Sequence, residues 1–199
     1  MAQPDSRGPA KRALRVGLLA FFLAVIVNWS AGLVLSSVPA FLAMLVVLLL
    51  ILTGVAFDIL GTAVTAAEAA PLHAMAARKM LGARQAIWLT KNADAVANFA
   101  NDVVGDVTGA VTGAAGTAVA LRLSTAVAAG NLASEGLALA MVGLIAALTV
   151  GGKAAGKSLA MERATDVLML AGRAIWAVEK GTGRHWTSSR PSSSKRRST

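Results

Sequence analysis

Cysteine is absent from the 199 residues, which excludes a disulfide framework and thiolate metal sites and leaves the redox compartment unmarked. Histidine occurs only at His73 and His185, in no H-E-x-x-H pattern, so each reads as an interfacial residue rather than a metal ligand. Aromatic residues make up 5% of the chain, and residues 188–199 hold none to interleave with their Arg and Lys. Base stacking is therefore unavailable in the tail, and nucleic acid is not an expected partner. Charge is scarce as well, at 15% of residues. What fills the chain is apolar: 56% of residues are hydrophobic and the mean hydropathy is +0.65, the composition of a membrane protein.

The apolar residues fall into runs of membrane-spanning length, about 20 residues for about 30 Å of hydrocarbon. After a basic arm (1–15) ending in Lys11, Arg12 and Arg15, residues 16–35 form a first run, read as a retained span rather than a cleaved signal because a second follows at once. Ser36, Ser37, Val38 and Pro39 make a turn, and residues 40–60 return the chain as a hairpin. Residues 61–97 mix Glu68, His73, Arg78, Lys79, Arg84, Lys91 and Asp94 with Ala, Met, Leu, Ile and Trp88, the pattern of juxtamembrane helices. A third, more polar span is expected over 98–120, packed against protein rather than lipid, and a fourth over 136–152. A transmembrane domain thus covers 16–165, followed by an amphipathic helix at 166–186 and a disordered basic tail at 187–199. The fold expected is all-α and polytopic, with four transmembrane helices and interfacial helices beside them.

Net charge is +9, concentrated in the arm, the middle segment and the tail. Because basic loops face the anionic cytoplasmic leaflet, both termini are expected in the cytoplasm of a plasma or inner membrane, with the tail against anionic lipid.

Within the third span Gly105, Gly109 and Gly113 recur every four residues and form a helix face suited to close packing, with dimerisation as one use. Thr108 and Thr112 repeat at the same spacing and bond either across helices or back to their own carbonyls. Carboxylates within spans cost about 2.5–3.5 kcal/mol on insertion scales and mark functional sites by default. Asp102 and Asp106 share one face, while Asp58, Thr62, Thr65 and Glu68 share another on the second span and its extension. Two facing oxygen stripes would suit a hard cation such as magnesium or calcium. The alternative leaves Asp58 at headgroup level and pairs Asp102 and Asp106 with Lys or Arg.

Residues 151–158 read GGKAAGKS, a full match to the phosphate-binding loop G-x-x-x-x-G-K-[ST]. That loop needs a buried strand before it, and here an apolar helix precedes it. Neither ATP binding nor an enzyme is expected.

The order of motifs resembles the transmembrane domain of the CNNM/CorC (CorB) magnesium transporters. Thr65-Ala66-Ala67-Glu68-Ala69-Ala70 is similar to that family's small-S-E-T-A-L signature and Asn101-Asp102-Val103-Val104-Gly105-Asp106 to its G-N-x-x-N span. Residues 152–160, from Gly152 through Lys157 to Ala160, are similar to its G-E-x-x-P-K-[ST]-L-A end. The resemblance covers about 55–165, makes the first span an addition, and lacks the CBS pair that often follows. It implies matched positions at Glu68, Asn101, Gly152 and Lys157, whereas Ala67, Lys153 and Gly156 replace the family's Ser, Glu and Pro.

The reading expected is a protein that binds, and moves, Mg2+ through Asp58, Glu68, Asn101, Asp102 and Asp106 between the second and third spans. A non-transporting scaffold, dimerising on its glycine face, is the second reading. A homodimer in the lipid bilayer fits both.

Overall fold

The computed structural model describes residues 7–127 and 131–183, and the element order is entirely helical among them. Helix α1 (Arg7–Ser37) and α2 (Ala40–Ala66) are followed by three short helices, α3 (Ala69–Ala77), α4 (Ala83–Lys91) and α5 (Ala93–Ala97). A π-helical segment (Asn98–Gly105) leads directly into α6 (Asp106–Val127), and α7 (Asn131–Glu162) and α8 (Ala164–Thr182) complete the chain. Four helical stretches are long and apolar enough to cross a membrane: Ala13–Ser37, Ala40–Ala66, Ala93–Ser124 and Ser134–Glu162. The protein is therefore an all-α, polytopic membrane protein.

Several expected boundaries move. The basic arm is not separate, because α1 already begins at Arg7. The second span continues six residues past Leu60 to Ala66, and the third starts in α5 rather than at Asn98. No long connection occupies 121–135: α6 runs to Val127 and α7 starts at Asn131. The fourth span is the largest departure, a helix of 32 residues that continues through the Gly and Lys positions after 152. Gly costs only about 1 kcal/mol in a helix, and here close packing on α2 compensates for it. The tail 187–199, with the anionic-lipid contact expected of it, lies outside the described residues.

Burial separates the spans. In the third, 56% of the apolar window is buried, against 6%, 22% and 11% in the first, second and fourth, so the third is the hub and the others present Leu, Val and Phe outward. Helix α1 does not pair chiefly with α2 as a hairpin. Ala31 and Leu35 of α1 join Val107, Val111, Ala115 and Val119 of α6 in one core with Val47 and Ile51 of α2. Arg122 fastens this end: its guanidinium donates to the Leu35 carbonyl at 2.7 Å and the Val38 carbonyl at 3.5 Å, capping acceptors that the end of α1 leaves open.

Beyond the far end of α2, the short helices and α8 build a platform. Leu72, Ala83, Ala86, Leu89, Leu168 and Met169 form its core with Val64 of α2. Gly172 of α8 lies against the Gly82 backbone so closely that a Cβ there would collide with the Gly82 carbonyl. Gly82 itself has φ +85°, a left-handed conformation that glycine adopts without strain. Gln85 donates to the buried Glu179 carboxylate at 2.7 Å, so the polar groups inside the platform are paired.

Candidate functional site

Helix α2 presents one continuous stripe to the protein: Ala43, Val47, Ile51, Gly54, Asp58 and Gly61, at spacings of four or three. Its two glycines are where the third span comes closest. The Thr108 side chain would lie 3.3 Å from a Cβ at Gly54, and the Asn101 carboxamide occupies the space where a Cβ of Gly61 would stand. Asp58 sits between them on the same stripe, 4% exposed, facing Gly105.

The π-helical turn arranges the opposite wall. Its i to i+5 pattern widens the helix, a distortion that recurs at functional sites. Thr108 donates back to the Val104 carbonyl where the wide turn reverts to α6. The turn aims Asn101 and Gly105 at α2, while Asp102 and Asp106, one position further along, remain exposed.

The third wall is α7. Gly152 and Gly156 lie against Val55 and Ile59, at 3.1 and 2.7 Å from where their Cβ atoms would be, and Ala160 is fully buried beside Ala63. This small-x-x-x-small stripe brings the two helices together and carries Lys153 and Lys157 into the niche. The Lys153 ammonium donates to the Gly105 carbonyl at 3.3 Å. The Lys157 ammonium lies 3.8 Å from Asp58 Oδ2, an ion pair without a hydrogen bond, with the lysine side chain 55% exposed and the carboxylate 6%.

The niche is thus three hard-oxygen groups (Asp58, Asn101, the Gly105 carbonyl) and two ammonium groups. Asp58 Oδ2 and Asn101 Oδ1 are both buried without a hydrogen-bond donor. Such orphans are costly, and in native structures each calls for an explanation such as an ion or a functional role.

Of the residues expected to ligate a cation, the structure brings together Asp58 and Asn101. Glu68 does not join them: it lies beyond the end of α2 as the residue before α3, in extended backbone and exposed. Thr65 is exposed too and donates to the Thr62 carbonyl. The two facing carboxylate stripes are therefore not formed, and no group of three His, Cys, Asp or Glu able to hold a metal occurs among the described residues.

The glycine face is also corrected. Only Gly105 packs inward; a Cβ at Gly109 or Gly113 would meet nothing within 4 Å, and both line an open cavity of about 410 Å³ between α6 and α7. The close approaches fall instead at Gly54, Gly61 and Gly156. Their signal was present, as a seven-residue repeat in α2 and as G-x-x-x-G in α7, but the second was overlaid by the phosphate-loop match. Residues 151–158 lie inside α7, so that match forms no loop.

No protein-family model, no curated protein and no solved structure matches this chain.

Proposed function

We propose that this membrane protein binds and moves a hard divalent cation of the magnesium class at the niche between α2, the π-helical turn and α7. Lys157 serves there as a displaceable internal cation. The observation that carries the reading is the pair of buried, donor-less oxygens, Asp58 Oδ2 and Asn101 Oδ1, beside a helical distortion. Carboxylate, carboxamide and carbonyl oxygens are the donors that suit such a cation. One carboxylate facing two ammonium groups leaves the niche positive, so ion entry requires an ammonium to withdraw, and Lys157, half-exposed and held only at 3.8 Å, is the one free to do so.

The order of motifs supports the same reading through its resemblance to the CNNM/CorC transporters. Lys153 would then stand where that family has a carboxylate, supplying a cation where the family binds one. The basic balance of the platform helices puts that end, with both termini, in the cytoplasm. From Ala40 to Asp58 is about 27 Å at 1.5 Å per residue, so Asp58 lies near the cytoplasmic boundary of the hydrocarbon and the niche opens toward that side.

Thermal unfolding in detergent with Mg2+, Mn2+ and Ca2+ tests binding, since a ligand of the native state alone raises its stability. Magnesium should raise the midpoint of the native chain and leave Asp58→Asn and Asn101→Ala unmoved, and the native chain alone should carry flux in liposomes. Metal-independent midpoints and no flux, unchanged in Lys157→Ala, would sink the reading.

A second reading, a non-transporting scaffold, is favoured by the Lys153 to Gly105 bond, which fills the niche with a tethered ammonium group. In that case a second copy would cover the open Gly109 and Gly113 face, and a metal-independent homodimer is the expected outcome.

A further inference from the structure

The platform holds a cavity unrelated to the cation niche, at the turn between α3 and α4. It has a volume of about 340 Å³ and is lined by Lys79, Arg84, Gln85, Met80, Leu81 and Trp176, within the size range of small-ligand clefts, about 300–1,000 Å³. Its chemistry is divided. Lys79 and Arg84 form no ion pair among the described residues, and a third cation, Lys180, sits 5.2 Å from the centroid of the Trp176 ring. No acid lines the cavity, and Gln85 of its wall donates to the buried Glu179 carboxylate. Beside the cations, Met80 and Leu81 are large apolar side chains left 40% and 58% exposed.

The turn is held in an unusual backbone shape. Lys79 has φ +57°, the one non-glycine residue in the left-handed region among those described, and Gly82 follows at +85°. A left-handed residue at this place closes α3 as a helix C-cap, with the Met80 N–H donating to the Met75 carbonyl at 3.1 Å. The same shape turns a lysine and two apolar side chains toward one opening.

A cluster of cations beside exposed apolar side chains, on helices at the end of the membrane spans, matches one kind of partner. We propose that this cavity binds the headgroup of an anionic glycerophospholipid, with Lys79, Arg84 and Lys180 around the phosphate and Met80, Leu81 and Trp176 against the upper acyl chain. Arg offers a phosphate two parallel donors and Lys a point charge. Trp at headgroup level is favoured for its apolar body and polar edge. Basic pockets beside membrane helices hold lipid headgroups on the same physical grounds.

Native mass spectrometry of the full chain, released from bilayers of equimolar phosphatidylglycerol and phosphatidylcholine, tests the site. The native protein should retain phosphatidylglycerol preferentially. Lys79→Gln with Arg84→Gln should lose about fivefold or more of that retention, about fivefold being the effect of one interfacial cation. A control with the same charge loss elsewhere, Lys91→Gln with Arg163→Gln, should keep it. Lys79→Gly relieves the left-handed strain, so its unfolding midpoint should hold or rise while retention falls, which separates lost binding from lost folding. Unchanged retention in the first double variant, an equal loss in both doubles, or displacement of the lipid by millimolar inorganic phosphate would each overturn the proposal.

Discussion

The Asn101 carboxamide rests directly on Gly61, filling the volume that any larger residue on α2 would need, and its Oδ1 is buried there without a donor. This contact sets the spacing between the second and third spans at the level of the niche. Asp58 and Gly105 face one another one turn along the same pair of helices.

Gly61→Ala should therefore force Asn101 aside and cost about 1–3 kcal/mol, the usual range for overpacking a close contact. Thermal unfolding of Gly61→Ala, Asn101→Ala and the double variant forms a mutant cycle. A coupling above about 0.5 kcal/mol is expected for residues in direct contact, and additive effects would mean that they do not touch.

Gly113 of the third span and Gly156 of α7 should behave in opposite ways. Gly113→Ala meets open space and should stabilise the protein by about 0.4–1 kcal/mol through lost backbone freedom. Gly156→Val would collide with Ile59 and should destabilise by about 1–3 kcal/mol. Chemical or thermal unfolding measures both, and a destabilising Gly113→Ala would instead identify that face as an occupied interface.

Arg122→Ala should free the end of α1 from α6. Hydrogen exchange resolved by residue should rise in the last turn of α1, near Leu35, with little change in the platform. The guanidinium spans two carbonyls, so Arg122→Lys should restore protection only in part.

In the platform, Gln85→Ala removes one donor to the buried Glu179 carboxylate and should cost about 1–3 kcal/mol. Gln85→Glu should cost more, because it places two acids together in a buried setting. Unfolding midpoints of the two variants give the order directly.

Apolar run length and charge placement made the helical class and the number of spans legible, because both report on the solvent around a helix. The polarity of the third span likewise foretold its burial. The site was legible only in part. Asp58 stood out as a costly carboxylate inside an apolar run and Asn101 through the family resemblance; the structure buries Asp58 and encloses the Oδ1 of the half-buried Asn101. Asp102 and Asp106 stood out for the same reason as Asp58 and are exposed, because helix phase, not composition, decides which of two neighbouring residues faces the protein. The π-helical turn that sets this phase has no composition of its own. Lys153 and Lys157 were legible as charges marking the end of a short fourth span, but the continuation of α7 past Gly156 sets Lys153 on the Gly105 carbonyl and the exposed Lys157 3.8 Å from Asp58. That continuation depends on tertiary packing against Val55 and Ile59, which a pattern in one helix cannot display.

Helix α7 runs unbroken for 32 residues, about 48 Å at 1.5 Å per residue, and only Arg163 separates it from α8. The lysines of the niche and the entrance to the platform are therefore carried on one stiff rod. A rotation of that rod sufficient to draw Lys157 away from Asp58 would also swing the start of α8, because only Arg163 lies between the two helices to absorb it.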